Sequence, residues 1–368
     1  MTTGLVSKWL AGAALAMAVL ASAAPAHADS LEAEFDKAFT SKPAAAPSQL
    51  RAPTKVQIKV QSSSESAQRV LPSTVRPFVF GVAPRPYGAG LDAQLAAQAD
   101  PSQGRIGVAA IDLTTGRTVT VLGDTPFPMA STSKVAIAAT FLAGVDEGRF
   151  SLDASYPLMV PVKSKKYSTT VAPVRPGPML TGRQLIERAL IRSDNQATDA
   201  LLAVVGGPAA VNRWMRATGN TGMWLDRDIA TLVRDDGEFN PATMIDERDS
   251  ATPLAMARML SGLYQGRWLS GDSRAFLIST MERCQTGKRR MRALLPGDAR
   301  IAHKTGTLSN TASDVGLVRT PDGRVYAIAV FVTGQGGHAG RDARIAAITR
   351  TIYDGYLGEG QTYRVAAQ

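Results

Sequence analysis

After residue 90, apolar positions follow a helical rhythm in the middle of the chain and a strand rhythm near its two ends. Apolar residues three and four positions apart predict helices at 181–191, 197–205, 209–218, 253–266 and 273–284. Alternating or continuous apolar runs predict strands at 105–122, around a turn, and at 301–307, 315–320 and 324–332. Helical patterns at 91–99 and 341–356 flank these strands.

Strands at both ends and helices between them predict an α/β (α+β) fold. We expect one antiparallel sheet built from both chain ends, with flanking helices and an inserted all-helical region, and an active-site cleft between the two parts. Two local signals support these boundaries. The sequence PDG at 321–323 predicts a hairpin turn, and Thr252 before Pro253 predicts an N-cap followed by the first residue of a helix.

The N-terminus carries a targeting pattern. An uncharged, alanine-rich run at 9–26 follows Lys8 and leads into the small-residue sequence AHA at 26–28. This is typical of a secretory signal cleaved after residue 28. A membrane anchor is the alternative, since the run approaches spanning length, but Pro25 interrupts it. We therefore expect a secreted or periplasmic protein with no stable membrane insertion after cleavage, because no later segment is apolar enough to span a bilayer.

Proline, serine and alanine are abundant in residues 29–90. This composition is typical of linkers, so we expect a mostly disordered extension, in which 56–60 alternates like a short strand. The expected organisation is a signal peptide at 1–28, this extension at 29–90, one globular domain at 91–357 and a tail at 358–368.

Composition excludes several classes of function. The chain has 368 residues, 45% of them hydrophobic, which suffices for a large core. Its net charge of +10 comes without basic runs interleaved with aromatic residues, so we expect no nucleic-acid partner. The single cysteine, Cys284, excludes an internal disulfide and is expected to be a small core residue. Only His303 and His338 remain after signal cleavage, so we expect no metal and no cofactor.

Two serines and a lysine open an otherwise apolar helix in the sequence FPMASTSKVAIAATF at 127–141. Ser131 and Lys134 are three residues apart and therefore lie on one side of its first turn. A helix N-terminus offers unpaired N–H groups to an oxyanion, and a buried lysine of lowered pKa can activate a serine nucleophile. The alternative is that Ser131 or Thr132 caps the helix while Lys134 reaches solvent.

Two further polar clusters favour the catalytic interpretation. The sequence SDN at 193–195 follows a predicted helix, and KTG at 304–306 lies on a predicted strand. The set S-x-x-K, S-D-N and K-T-G occurs in class A β-lactamases and penicillin-binding proteins. From about residue 91 to 357 the chain resembles the class A serine β-lactamases, and the likeness extends to FPMAST, to DERD at 246–249 and to the apolar C-terminal hairpin.

The resemblance implies a role for each catalytic residue. Ser131 attacks the lactam carbonyl, and Lys134 helps to activate it. The backbone N–H groups of Ser131 and Thr307 hold the developing oxyanion. Ser193 relays a proton to the departing lactam nitrogen.

The same resemblance implies how substrate is bound. Asn195 holds the side-chain amide of the substrate, Lys304 and Thr305 anchor its carboxylate, and Gly306 lets it lie close to the strand. Asp194 is expected to be a structural hydrogen-bond acceptor. The sequence departs from the family pattern at two places. No arginine occurs between 306 and 315 to assist carboxylate binding, and Tyr167 lies near, but not at, the position of the aromatic residue that borders the site in the family.

Hydrolysis of the acyl-enzyme depends on a loop. In the family a glutamate, and an asparagine four residues later, hold the deacylating water. Counting back from DERD places Asp236 at the glutamate position and Asn240 at the asparagine position. Aspartate is one methylene shorter, and Glu238 is the alternative carboxylate. We expect Arg234 and Asp249 to form the ion pair that closes the loop.

Three functions fit this sequence. The first is a secreted serine β-lactamase that hydrolyses penicillins or cephalosporins through an acyl-serine intermediate. The second is a D,D-peptidase that acts on peptidoglycan stem peptides and deacylates slowly. The third is an envelope protein that binds lactams or wall fragments without turnover. Asn240, the expected Arg234–Asp249 pair and the DERD segment favour the first function, whereas Asp236 favours the other two.

Overall fold

The computed structural model describes residues 73–78, 90–99 and 101–366, with side chains as far as residue 358. All of them belong to the compact unit Lys59–Gln368. The expected signal peptide, the strand pattern at 56–60 and most of the expected extension lie outside the described residues.

Twelve strands and nine α-helices occur in the described part of the chain. The strands are β1 (Val75–Pro77), β2 (Gly104–Asp112), β3 (Thr118–Val121), β4 (Phe127–Pro128), β5 (Ser155–Pro161), β6 (Val174–Thr181), β7 (Met223–Trp224), β8 (Met244–Asp246), β9 (Ser250–Ala251), β10 (Arg300–Leu308), β11 (Thr311–Arg319) and β12 (Val325–Gly334). The helices are α1 (Leu91–Gln98), α2 (Lys134–Asp146), α3 (Gly182–Ile191), α4 (Asn195–Val205), α5 (Pro208–Ala217), α6 (Ile229–Arg234), α7 (Pro253–Tyr264), α8 (Gly271–Glu282) and α9 (His338–Ala366). Among these described helices, none is both long and apolar enough to cross a membrane.

Strands from the two ends of the domain form one antiparallel sheet of five strands, in the order β10-β11-β12-β2-β3. β12 joins the two halves, because Val330 lies opposite Asp314 of β11 on one side and Val108 of β2 on the other. The predicted fold class, with a sheet assembled from both chain ends, is therefore confirmed.

The sheet separates two hydrophobic cores, since successive residues of a strand face opposite sides. On one side Leu95 of α1 and Ile348 of α9 belong to a cluster with Val108 and Ile328. On the other side Phe331 belongs to the core that surrounds α2. Most of the first eleven residues of α2 are apolar and all are buried, so this helix begins and runs inside the protein.

The region between β3 and β10 is mainly helical, but it also contains short strands that the hydrophobic pattern did not predict. β5 and β6 form a hairpin, and β4, β9 and β7 form a small sheet. Prolines at 157, 161, 176 and 178 interrupt the apolar alternation of the β5–β6 hairpin. Proline is tolerated in edge strands, and both strands of a two-stranded sheet are edges. Its presence argues against a strand in a sequence, so the hairpin was not predicted.

Two predicted helix starts are confirmed by their caps. The Thr181 hydroxyl accepts the N–H of Gln184 while the Gln184 side chain accepts the N–H of Thr181, a capping box that starts α3. Thr252 accepts the N–H of Ala255 and is followed by Pro253 at the start of α7. The first cap matters for the site, because α3 leads directly into the SDN sequence.

Candidate active site

A short 3-10 turn, Ala130–Ser133, carries Ser131 and continues into α2. Ala130 has a positive φ of 49°, an uncommon conformation for a residue with a side chain. Strand β10 passes close to this turn at Gly306, where an added Cβ would lie 2.7 Å from the carbonyl oxygen of Met129. Glycine at 306 therefore allows the KTG strand to approach the serine.

Lys134 is fully buried one helical turn after Ser131. Its Nζ donates to the Ser193 carbonyl oxygen at 2.5 Å, to Ser193 Oγ at 3.2 Å and to Asn195 Oδ1 at 2.7 Å. Burial and then the charge of Lys304 hold the pKa of Lys134 well below its usual value, although Asp199 and Asp194 oppose this shift. Lys134 does not reach solvent, and a lowered pKa suits it to accept a proton.

Lys304 approaches the same hydroxyl from β10. Its Nζ donates to Ser193 Oγ at 2.9 Å and to the Thr305 carbonyl oxygen at 2.8 Å. Ser193 itself has a positive φ of 59°, and such strained residues occur at functional sites. The three sequence clusters therefore meet around one oxygen atom, Ser193 Oγ.

Asp194 holds the start of α4. Its Oδ1 accepts the N–H of Ala197 at 3.0 Å, and its Oδ2 accepts from Arg188 Nε at 2.8 Å. The carboxylate thus caps a helix that begins with Asn195. In this way Asp194 fixes the position of the amide that accepts from Lys134.

Arg290 lies beside the KTG strand, a position that the sequence analysis missed. Its guanidinium donates to Thr307 Oγ1 at 2.7 Å and to the Gly306 carbonyl oxygen at 3.0 Å, and it pairs with Asp342 at 2.7 Å. Arg290 is fully buried. The sequence analysis expected such an arginine only after residue 306, whereas the positive charge comes from the basic run KRR at 288–290.

Behind the same strand lies a buried cluster of Cys284, His303 and Asp314. His303 Nδ1 contacts Asp314 Oδ1 at 2.9 Å, and Thr286 connects Cys284 to Thr305 through hydroxyl contacts of 3.3 and 2.6 Å. Burial alone would raise the pKa of Cys284, but His303 and then Lys304 lower it to about 7. His303 is fully buried, and as neighbours on a strand His303 and Lys304 face opposite sides of it.

The loop of residues 227–249, hereafter the 227–249 loop, is closed by an ion pair at its two ends. Arg227 Nε lies 2.6 Å from Asp249 Oδ2, and Asp249 Oδ1 accepts the N–H of Arg227 at 3.0 Å. Arg234 instead pairs with Asp235 at 2.8 Å. The predicted pairing of Arg234 with Asp249 is therefore wrong. Arg234 ends α6, where it faces its chain neighbour and Thr169.

Asp236, Glu238 and Asn240 lie in this loop with different partners. Asp236 Oδ2 accepts the N–H of Ser309, just beyond β10, at 2.8 Å, and Asn240 Oδ1 accepts from Asn310 Nδ2 at 2.8 Å. Glu238 pairs with Arg248 at 2.9 Å. Burial raises the pKa of Asp236 even though the Ser309 N–H lowers it. Asp236 and Asn240 thus both reach the end of the KTG strand, but the Asn240 side chain is exposed and already bonded.

Asp199 was also missed by the sequence analysis. It lies one turn after Asn195 on α4, and its two oxygens accept the N–H groups of Ile229 and Ala230 at 2.7 and 2.9 Å. These N–H groups open α6, so Asp199 holds the first part of the 227–249 loop against the site. Burial raises the pKa of Asp199 to about 7, against the effect of both N–H groups. Only the fold brings residues 199 and 229 together.

Tyr167 lies on the connection between β5 and β6. It has a positive φ of 58°, its N–H donates to Asp235 Oδ1 at 3.0 Å, and its hydroxyl donates to the Asp235 carbonyl oxygen at 3.0 Å. Nearly half of its surface is exposed. The connection therefore packs against the 227–249 loop and leaves an aromatic ring at the surface there.

Comparison with known proteins gives consistent results. The model of the β-lactamase enzyme family matches residues 90–356. The chain is 34% identical to β-lactamase CTX-M-8 of Citrobacter amalonaticus over 286 residues, which covers 76% of this chain and 94% of that protein. It is 32% identical to the carbapenem-hydrolyzing β-lactamase KPC of Klebsiella oxytoca over 268 residues, 70% of this chain and 86% of that protein.

Solved structures show the same likeness. A β-lactamase from Chitinophaga pinensis is 31% identical, with a TM-score of 0.63 over 72% of this chain and 98% of that one. The class A β-lactamase of the last common ancestor of Gram-negative bacteria is 36% identical, with a TM-score of 0.62 over 73% of this chain and all of that one.

Proposed function

The chain belongs to the class A β-lactamase family, and on that premise we propose that it hydrolyses β-lactams through an acyl-serine intermediate on Ser131. The observation that carries this proposal is the shared contact of Lys134 and Lys304 with Ser193 Oγ, at 3.2 and 2.9 Å. Beside the turn that carries Ser131, the Lys134 amine is buried and can accept a proton, and the Ser193 hydroxyl can pass one on.

Acylation begins when Ser131 Oγ attacks the lactam carbonyl carbon and gives its proton to the Lys134 amine. The N–H groups of Ser131 and Thr307 stabilise the oxyanion that forms. The carbon–nitrogen bond of the ring then breaks, and the proton passes from Lys134 through Ser193 to the lactam nitrogen. The product is an ester on Ser131, with the ring opened.

Substrate is held by the groups around this centre. Asn195 binds the side-chain amide, while Lys304 and Thr305 hold the carboxylate. Arg290 adds a second fixed positive charge and orients the Thr307 hydroxyl through its 2.7 Å hydrogen bond. Gly306 leaves room for substrate to lie along β10.

Deacylation is assigned to Asp236. Glu238 forms an ion pair with Arg248, and Asp235 forms one with Arg234. In the described part of the chain, the Asp236 carboxylate has no such ion pair within 4 Å. A pKa raised by burial makes this carboxylate a stronger base. Asp236 takes a proton from water, the water oxygen attacks the ester carbonyl, and the proton returns to Ser131 as the ring-opened acid leaves.

The proposal is tested by mixing the purified mature protein with a chromogenic cephalosporin in a stopped-flow instrument. We expect many turnovers per enzyme and none in Ser131→Ala. A burst of one equivalent followed by a flat line would assign the protein to the peptidase or binding alternatives. Absence of both burst and turnover would count against Ser131 as the nucleophile.

We further propose that the protein acts after export, because the pattern at 1–28 is typical of a cleaved signal. The intact mass of protein recovered from the periplasm or medium tests this proposal. A mass that begins at Asp29 supports export with cleavage after residue 28, and a mass that retains residue 1 contradicts it.

A further inference from the structure

A short strand from before the domain lies against the 227–249 loop. β1 pairs antiparallel with β8, and Val75, Arg76 and Pro77 lie opposite Asp246, Ile245 and Met244. Two backbone hydrogen bonds extend the ladder, from Phe78 N–H to the Thr243 carbonyl oxygen at 2.7 Å and from Glu247 N–H to the Thr74 carbonyl oxygen at 2.9 Å. The ladder therefore covers residues 74–78 on one strand and 243–247 on the other.

The register of the β1–β8 pair explains which types of residue occur in β1. Antiparallel pairs alternate between hydrogen-bonded and non-hydrogen-bonded. The bonds at Thr74 and Phe78 make Arg76 and Ile245 a hydrogen-bonded pair, and leave Pro77 at a position where no N–H is needed. Val75 and Ile245 are both buried, with at most 5% of their surface exposed. The strand thus fits this edge both in hydrogen bonding and in packing.

Arg105 ties this small sheet to the main sheet. It is a buried residue of β2 whose guanidinium lies 5.1 Å from the ring centre of Phe78. The same guanidinium donates to the carbonyl oxygens of Pro241 at 2.8 Å and of Met244 at 3.3 Å. Arg105 therefore holds both strands, β1 through Phe78 and β8 through Met244.

Contacts continue from β8 toward the acidic residues of the loop. Asp246, opposite Val75, pairs with Arg248 at 2.7 Å, and Arg248 pairs with Glu238 at 2.9 Å. In the described part of the chain β8 pairs with no strand other than β1. Without β1, the backbone groups along this edge would lose their partners and the loop would lose one of its supports.

We propose that residues 74–78 form a strand that holds the 227–249 loop in the position that deacylation requires. Part of the N-terminal extension therefore contributes to deacylation. This inference rests on the proposed function, in which Asp236 of that loop activates water. The strand acts by positioning and does not touch substrate.

The test compares two variants of the full chain. Arg76→Pro removes the N–H that faces Ile245, whereas Arg76→Ala keeps that N–H. Both variants remove a side chain that is 56% exposed and forms an ion pair of 3.7 Å with Glu247, which is worth little at an exposed site. A displacement of about 1 Å can cost a catalytic group on the order of a hundredfold. We therefore expect Arg76→Pro to keep the acylation burst, to lower steady-state turnover at least roughly tenfold and to speed amide exchange at Ile245 and Glu247, whose N–H groups face β1. Arg76→Ala should match the wild type.

Other outcomes overturn the proposal. Faster exchange with unchanged turnover would mean that the loop works without the strand. An equal loss of burst rate and turnover together with early melting would indicate a general loss of stability. If the wild type itself shows neither burst nor turnover, the proposed function fails, and the exchange measurement still decides separately whether β1 holds the loop.

Discussion

Lys134 and Lys304 donate to the same acceptor, Ser193 Oγ, although they lie 170 residues apart in the sequence. Both are fully buried, so each raises the electrostatic cost of a charge on the other. After burial, Lys304 is the largest cause of the lowered pKa of Lys134. The second lysine therefore favours loss of the Lys134 proton, which the role of a base requires.

This relationship predicts a pH effect. Removing the charge in Lys304→Gln should raise the pKa of Lys134 and shift the acidic limb of the acylation rate to higher pH, whereas Lys304→Arg should leave that limb near its wild-type position. The pH dependence of the burst rate measures this shift. Superimposable limbs for the wild type and Lys304→Gln would contradict the coupling.

Deacylation by Asp236 predicts a separation of the two half-reactions. Asp236→Asn should retain the burst and lose on the order of a hundredfold or more in turnover, because the water loses its base. Glu238→Gln is the matched control on the same loop and should lose much less, since Glu238 pairs with Arg248. Mass spectrometry should find the acyl-enzyme only in Asp236→Asn. The reverse order of the two variants would assign the base to Glu238.

Arg290 and Asp342 predict separable effects on stability and binding. Arg290→Ala leaves Asp342 buried without its closest charge, and breaking such a pair costs about 3–5 kcal/mol. The double variant Arg290→Ala/Asp342→Asn should recover part of the free energy of unfolding in urea. It should not recover KM, because the positive charge beside Thr307 is still missing. Full recovery of both quantities would contradict a role in substrate binding.

The raised pKa of Asp199 predicts a pH-dependent stability. Its folded pKa of about 7 exceeds the ordinary value of 3.8, so between those values the folded state binds a proton that the unfolded state releases. Stability should therefore fall as pH rises from 4 to 7 and then level off, by at most about 4 kcal/mol. Urea unfolding at pH 5 and 8 should show this loss in the wild type and in the exposed-site control Asp153→Asn, and a smaller loss in Asp199→Asn.

The single cysteine allows a direct test of the buried cluster. Thiolate absorbance near 240 nm should titrate with a midpoint of about 7 in the wild type, because His303, Lys304 and Thr286 together outweigh the effect of burial. In His303→Asn the midpoint should rise, since burial is then opposed only by Lys304 and Thr286. Cys284→Ser supplies the baseline. An unchanged midpoint in His303→Asn would contradict the coupling.

The sequence by itself determined the sheet, the main helices and the three polar clusters of the site. These features are local: helical and strand periodicities are set by the side chains of a short segment, and Thr252-Pro253 or the PDG turn acts through its own backbone. The set S-x-x-K, S-D-N and K-T-G also carries its chemistry in residue type and order, so a site built from these three clusters could be expected before the fold was known.

Tertiary structure decided the contacts between distant segments. Counting along the chain predicted an ion pair between Asp249 and Arg234. In the structure Asp249 pairs with Arg227 instead, because the path of a loop depends on its anchors and not on residue number. Arg290 and Asp199 act through partners 16 or more residues away, and β1 pairs with β8 across about 169 positions of sequence. Such pairings depend on burial and on backbone groups left unpaired by the rest of the fold, which no local pattern records.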